Sequence, residues 1–236
     1  MSTVIQISAK TLGQIALPGF CPRCFWLTIK AKKLPFQIFP GIFSSIDSYS
    51  KRVVHGWFDR EGCPPAWLRD LGEIKGYKNP PHHSNFRIVD PETSIRLTGV
   101  PDGIFVMGDG SYVIVDYKTA KCTNAHDELF PLYEAQLNVY GYIGERCQLS
   151  PVSKLALIYT EPVTDGEEAL LRSNLTPVGF QMGFSAHICP VEIKPDVVPQ
   201  LLRVARAILD HDLPPARTEG CSNCEAIGEL IKLAAM

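Results

Sequence analysis

Several features are missing from this chain of 236 residues. No apolar run approaches the roughly 20 residues that cross a bilayer, so no membrane span is expected. The first residues, MSTVIQISAK, lack the basic segment, apolar stretch and cleavage site of a secretory signal. A cytoplasmic protein is therefore expected. Neither charge is in surplus: 23 Lys and Arg against 25 Asp and Glu leave a formal net charge of −2. The molecule as a whole thus carries no electrostatic signature of a nucleic-acid binder. A groove for a polyanion has to come from local clusters, Arg23 with Lys30, Lys32 and Lys33, or Lys51 with Arg52. Each of these reads equally well as a solvated helix face. There is no internal repeat and no low-complexity tract. What the chain does have is 45% hydrophobic residues, enough for one good core, so a single domain over 1–236 is expected.

Cysteine is not scarce, but a reducing compartment does not sustain a disulfide framework. Four of the eight cysteines form two pairs, Cys21-Pro22-Arg23-Cys24 and Cys221-Ser222-Asn223-Cys224. Two C-x-x-C pairs are the usual arithmetic of a four-thiolate metal site. A thioredoxin-like redox role would use one pair and leave the other idle. On ligand type, four thiolates suit Zn²⁺ or an iron–sulfur cluster equally. Cys63, Cys122, Cys147 and Cys189 are isolated and read as small buried hydrophobes.

The stretch from Thr98 to Lys118 organises the rest. Two apolar runs, Gly103–Met107 and Tyr112–Tyr117, flank Gly108-Asp109-Gly110, and Asp-Gly between such runs signals a hairpin. Folding the pair about Asp109 brings Asp102 and Asp116 to the same end, on neighbouring strands. Side chains alternate along a strand, so Asp116 and Lys118 share one face and Tyr117 takes the other. Two carboxylates and an ammonium then converge, a donor set suited to a hard divalent cation such as Mg²⁺ or Mn²⁺. Lys118 would orient the nucleophile and stabilise a charged transition state. Gln136 and Tyr140, four residues apart, share a face of the helix that follows.

Elsewhere the chain reads as alternating elements. Val4–Ile7 is a short apolar segment, Ser8 caps a helix over Ala9–Leu17, and a second helix covers Cys21–Lys33. Leu34–Gly41 is a loop, and Ile42–Arg60 is a helix with Phe43, Ile46, Val53, Val54 and Trp57 as its apolar stripe. Glu61–His83, rich in Gly and Pro, is an irregular excursion with one helical turn at Ala66–Leu71. The sheet is expected to begin at Phe86–Val89 and continue through Ile95–Val100. Asp127–Cys147 is a long helix buried through Leu129, Leu132, Tyr133, Leu137 and Tyr140. Strands at Ser153–Thr160 and Phe180–Ile193 and a helix over Pro195–Asp210 complete the pattern. The fold class is α/β, with a mainly antiparallel sheet and one crossover helix.

Gly99-Val100-Pro101-Asp102, Asp116-Tyr117-Lys118 and Gln136-Leu137-Asn138-Val139-Tyr140 stand in the order and at about the intervals of a G-x-x-D, a D/E-x-K and a Q-x-x-x-Y motif. In this the chain resembles the RecB-like branch of the PD-(D/E)XK nucleases, which includes CRISPR-associated exonucleases with a cysteine-bound [4Fe–4S] cluster. Its opening, ISAKTLGQIALPGFCPRCFWLTIK, is similar to the cysteine-bearing arm of such enzymes. The resemblance implies a restriction-endonuclease-like core over 84–193, a helical arm over 1–60 and a C-terminal helix with the second cysteine pair over 194–236. It implies that Asp102, Asp116 and the Tyr117 carbonyl hold Mg²⁺ or Mn²⁺, and that Gln136 and Tyr140 line the active site. His55 would be the histidine ligand that an upstream helix supplies in many members, although a glycine follows it here instead of preceding it. His82 and His83 are weaker candidates. Cys21, Cys24, Cys221 and Cys224 would hold a [4Fe–4S] cluster, with zinc as the rival, since the resembled enzymes split their cysteines one and three. The implied activity is hydrolysis of DNA phosphodiesters, from an end or on single strands, in repair, recombination or CRISPR adaptation, with a helicase or integrase as a possible partner. The competing expectation is a non-catalytic DNA-binding or assembly subunit of the same fold with a structural zinc.

Overall fold

A computed structural model describes residues 4–31, 40–122 and 128–236. Strand β1 (Ile5–Ser8) runs directly into helix α1 (Ala9–Gly13) because Ser8, still extended, accepts a hydrogen bond from the Thr11 amide at 3.1 Å. That bond satisfies one of the donors a helix start leaves free. A 3₁₀ turn at Gln14–Ala16 follows, then α2 (Pro22–Ala31) and α3 (Gly41–Glu61). Gly62 closes α3 in the left-handed conformation, with φ 67°, which a glycine adopts at no steric cost. The remaining elements are β2 (Ile74–Lys78), β3 (Arg87–Val89), β4 (Ile95–Thr98), β5 (Gly103–Met107), β6 (Tyr112–Lys118), α4 (Phe130–Gly144) and β7 (Val152–Pro162). After them come α5 (Gly166–Ala169), β8 (Leu175–Thr176), β9 (Gly179–Phe180), β10 (Phe184–Val191), α6 (Val197–Leu209) and α7 (Ser222–Ala234). The expected loop before residue 40, the second helix beyond Ala31 with Lys32 and Lys33, and the helix start at Asp127 lie outside the described residues. No helix among the described residues is long and apolar enough to cross a membrane.

The central sheet has the order β10-β7-β6-β5-β2. Every neighbouring pair is antiparallel except β6 and β7, which are parallel because α4 carries the chain across between them. The mixed, mainly antiparallel sheet flanked by helices is thus the one its sequence implied. The outer strand came from elsewhere. β3 and β4 pair with each other, and β4 pairs parallel with β1 in a separate three-stranded sheet. The edge of β5 is taken by β2, from the stretch expected to be irregular. A register shift between Ile74 and Gly76 interrupts the alternation by which that strand would have been recognised. The helical turn at Ala66–Leu71 forms as a 3₁₀ helix.

Two apolar layers cover the sheet. On one face, Ile104, Ile114, Leu155, Leu157 and Tyr159 pack with residues of α1, α4 and α6. On the other, Phe105, Val113, Val115, Tyr117 and Ile158 pack with Val54 and Phe58 of α3. The buried stripe of α3 is therefore rotated from the expected one: Phe43, Val53 and Trp57 are exposed, and Phe58 joins Val54 in the core. Helix α4 lies between the sheet and α1, so it is buried on nearly every side, Leu132, Gln136, Leu137 and Tyr140 included, while Leu129, just before it, is exposed. The close approach of α1 and α4 requires Gly13, where a Cβ would stand 2.7 Å from the Leu132 carbonyl oxygen. Of the isolated cysteines, Cys63 is exposed and Cys122, Cys147 and Cys189 are half-buried. The C-terminal segment holds two helices, α6 and then α7, and Cys224 lies in the second.

Candidate active site and metal centre

The turn at Asp109 and Gly110 closes the β5–β6 hairpin with Gly103 opposite Val115, which sets Asp102 beside Asp116 at the far end. Val100-Pro101 leads into this end, and Asp102 is anchored there: its Oδ2 accepts a hydrogen bond from the Tyr117 amide at 2.9 Å. Asp116 is 3% exposed. Its Oδ1 accepts from Gln136 Nε2 at 3.2 Å, and its Oδ2 lies 2.5 Å from Lys118 Nζ. Gln136 Nε2 also donates to Tyr140 Oη at 2.8 Å, a contact available because residues four apart share a helix face. The Lys118 ammonium sits 4.1 Å over the Tyr133 ring, a cation–π position that restrains it. The structure thus brings Asp102, Asp116, Lys118, Gln136 and Tyr140 into one chain of contacts.

Gly99 has a specific reason to be a glycine. A Cβ there would stand 2.5 Å from Tyr140 Cε1, so the Tyr140 ring occupies the space of the missing side chain. The first and third motifs are therefore in physical contact.

Burial pushes the Asp116 carboxyl up to about 7; Lys118 pulls it down, and Asp102 raises it again. An anion is costly at this position without a cation beside it. Gln136 Oε1 is buried and accepts no hydrogen bond, and Asp116 Oδ2 has the Lys118 ammonium as its partner. Two carboxylates, an orphaned amide oxygen and a carboxyl that resists ionisation are what a hard divalent ion would relieve, so the residues fit such an ion. Burial likewise holds the Tyr117 and Tyr140 phenols above their ordinary range.

His55 is placed differently. Its ring stacks on Tyr77 at 4.0 Å and 8° between planes. Burial lowers its pKa, Asp59 opposes this, and the Lys51 charge adds to the lowering. Among the described residues, no histidine or third carboxylate forms a group with both Asp102 and Asp116 within 4.8 Å. His82 and His83 lie against each other at 4.0 Å. The group of α3 that touches the site is Lys51, whose Nζ lies 2.7 Å from Asp102 Oδ1 and 2.8 Å from Asp47 Oδ2. The sequence did carry a signal for the pair, an acid and a lysine four apart on a helix. It carried none for the contact with Asp102, 51 positions away.

The four paired cysteines meet. Cys21 and Cys221 each precede a helix, and Cys24 and Cys224 lie in the first turns of α2 and α7. Two helix starts therefore meet at the four sulfurs. Sulfur–sulfur distances are 3.7 Å for Cys21–Cys224, 3.6 Å for Cys24–Cys221 and 3.4 Å for Cys24–Cys224, and all four lie within 4.8 Å of one another. Burial pushes the Cys21 thiol up, but bonds from the Thr218 and Cys24 amides and from Cys224 and Cys221 outweigh it and leave it at about 6. Burial and the neighbouring sulfurs raise Cys24. The ends are also tied without the sulfurs: Arg23 Nε donates to the Pro215 carbonyl at 2.8 Å, and Trp26 Nε1 to the His211 carbonyl at 3.0 Å.

The chain is similar in fold to the crystal structure of SSO0001, at 14% identity over 91% of this chain and 81% of that one, with a TM-score of 0.47. No curated protein sequence matches it. A family model described as the PD-(D/E)XK nuclease superfamily matches residues 52–228. That stretch spans the hairpin, Gln136, Tyr140 and the second cysteine pair, and leaves Asp47, Lys51, Cys21 and Cys24 before it. The match covers most of the chain and the whole of the carboxylate–lysine–glutamine constellation, and the chain belongs to the PD-(D/E)XK nuclease superfamily.

Proposed function

We propose that this protein is a divalent-cation-dependent deoxyribonuclease of the RecB-like kind, acting at ends or on single strands. The observation that carries the reading is the convergence of Asp102, Asp116, Lys118 and Gln136 at one end of the β5–β6 hairpin. Asp102 and Asp116, with the Tyr117 carbonyl, would hold Mg²⁺ or Mn²⁺. The bound ion would polarise the phosphodiester and ease deprotonation of the attacking water. Asp116 is held by Gln136, and Gln136 by Tyr140, so the ligand geometry is set by buried hydrogen bonds before substrate arrives. Lys118 supplies a fixed positive charge beside Asp116, where negative charge develops on the phosphate.

A groove supports the single-strand part of the reading. A cavity of about 590 Å³ lined by Tyr49, Ser50, Trp67, Tyr117, Thr160 and Phe184 opens on the α3 face of the sheet, opposite the face of Asp116 and Lys118. Two of its lining residues neighbour the site in sequence: Tyr117, whose amide donates to Asp102, and Ser50, which precedes Lys51. Its rings offer faces on which unpaired bases stack.

The test is cleavage of labelled single- and double-stranded DNA and of RNA, with and without Mn²⁺. Asp116→Ala and Lys118→Ala should each abolish cleavage while circular dichroism stays that of the parent. An active Lys118→Ala variant would refute the assigned site. Well-folded parent protein that cleaves nothing with Mg²⁺ or Mn²⁺ would favour the non-catalytic DNA-binding subunit.

For the cysteines, the sulfur spacing favours one ion over a cluster. A tetrahedron of thiolates about 2.3 Å from zinc has edges of about 3.8 Å, close to the 3.4–3.7 Å separations here. A cubane of four irons spreads its thiolates to roughly 6 Å. The observation on the other side is a cavity of about 470 Å³ against Cys21, Cys24 and Cys221, space into which sulfurs could open. Metal analysis of protein prepared without oxygen decides between them. About one zinc per chain and no visible colour is expected, whereas brown protein absorbing near ~400 nm would mean the cluster.

A further inference from the structure

Both candidate carboxylate ligands are engaged by cations of the chain's own, Asp116 by Lys118 and Asp102 by Lys51, which comes from a different element, α3. Asp102 has two oxygens. Oδ2 already accepts from the Tyr117 amide at 2.9 Å, and Lys51 Nζ lies 2.7 Å from Oδ1, so an ion bound through Oδ1 meets the ammonium. We propose that Lys51 competes with the divalent ion for Asp102, and that Asp47 is the station to which its ammonium withdraws when the ion binds. The inference rests on the nuclease reading above.

Three features make the exchange feasible. Asp47 and Lys51 are four apart on α3 and 2.8 Å from each other, so their pair survives when Asp102 is released. Asp47 Oδ1 is buried and accepts no hydrogen bond, which leaves an acceptor for an ammonium that carries three donors. The side chains of Lys51, Asp47 and Asp102 are 27%, 34% and 22% exposed, so the ion pairs are partly screened and neither holds the lysine irreversibly.

The exchange also has a consequence for the order of binding. With Asp116 ionised, Asp47, Asp102 and Asp116 outnumber Lys51 and Lys118 by one charge, which disfavours a phosphodiester. A divalent ion reverses that sign while Lys51 stays nearby on Asp47, so the polyanion is drawn in only after the ion. Lys51 is then a positioning residue that sets ion affinity.

The test is titration of Mn²⁺ by calorimetry or by the loss of its free-ion resonance signal, with Asp116→Ala as the control for binding at this site. Lys51→Met should bind Mn²⁺ roughly tenfold more tightly than the parent, because one carboxylate no longer has to be vacated. Lys51→Gln serves as a second variant should the first fold poorly. Asp47→Asn should bind more weakly than the parent, since the ammonium is left with Asp102 alone. The double variant should match Lys51→Met. Unchanged or weaker binding by both lysine variants overturns the proposal. A double variant weaker than Lys51→Met would make Asp47 a direct ligand and overturn its role as the station. A parent that binds Mn²⁺ while the lysine variants show no gain sinks only this inference. A parent that binds no Mn²⁺ sinks it together with the nuclease reading.

Discussion

Gly99→Ala is a one-methyl change whose outcome the structure determines in sign. The Gly99 backbone lies outside the left-handed region, so in open space the substitution would stabilise by roughly 0.4–1 kcal/mol through the unfolded chain. The space is not open: the new Cβ would lie 2.5 and 2.9 Å from Tyr140 Cε1 and Cδ1, and 3.3 Å from the Ala9 Cβ. Carbon atoms pack at about 3.5–4.0 Å, so the ring must recede by about 1 Å. Tyr140 is 6% exposed, so its retreat has to displace packed neighbours. A 1 Å retreat stretches its 2.8 Å contact with Gln136 beyond hydrogen-bonding range. Overpacking costs about 1–3 kcal/mol and the lost bond about 1 more, so a net loss of roughly 2–3 kcal/mol is expected. For a chain of this size that lowers Tm by about 5–10 °C, read by circular dichroism in chelator. Cleavage should fall at least ~10-fold, because Gln136 no longer fixes Asp116. Tyr140→Ala in the same chain should remove most of the stability penalty, giving a coupling above about 1 kcal/mol in a double-mutant cycle. A Gly99→Ala protein as stable as the parent, or a cycle without coupling, would refute this account of the glycine.

Asp116→Asn should stabilise the chelator-treated protein at alkaline pH. The folded carboxyl titrates at about 7, against an ordinary 3.8, so its contribution is fully present below pH 4 and lost as pH rises through 7. The Asn variant should therefore gain on the parent between pH 4 and 7, by up to about 4 kcal/mol above pH 7, with no difference below pH 4 in urea titrations. The same proton competes with the ion, so Mn²⁺ affinity of the parent should rise with pH up to about 7. His55→Ala tests the ligand expected from the resemblance. Its stacking on Tyr77 predicts a lowered Tm with unchanged Mn²⁺ affinity, and lost affinity would restore it as a ligand. Serine at either cysteine pair should release the metal and expose both termini to protease together, fraying α2 and α7 before the sheet. Retention of metal after loss of one pair would refute a shared site.

What its sequence determined on its own is local. A strand period of two places Asp116 and Lys118 on one face, and the Asp109-Gly110 turn returns the chain so that Asp102 arrives beside them. The helical period places Gln136 under Tyr140, and the two-residue spacing within each cysteine pair suits one helix start apiece. Tertiary structure decided which face meets which element. That β2 covers β5, while β3 and β4 leave for another sheet, depends on which edge is free once the core has closed. The Gly99–Tyr140 contact joins a strand exit to a helix 41 positions away, and the Lys51–Asp102 pair spans 51 positions. The separation of the four sulfurs depends on how closely α2 and α7 approach. Periodicity says which side chains point together along one element. Only the packing of that element against the rest supplies the partner they point toward.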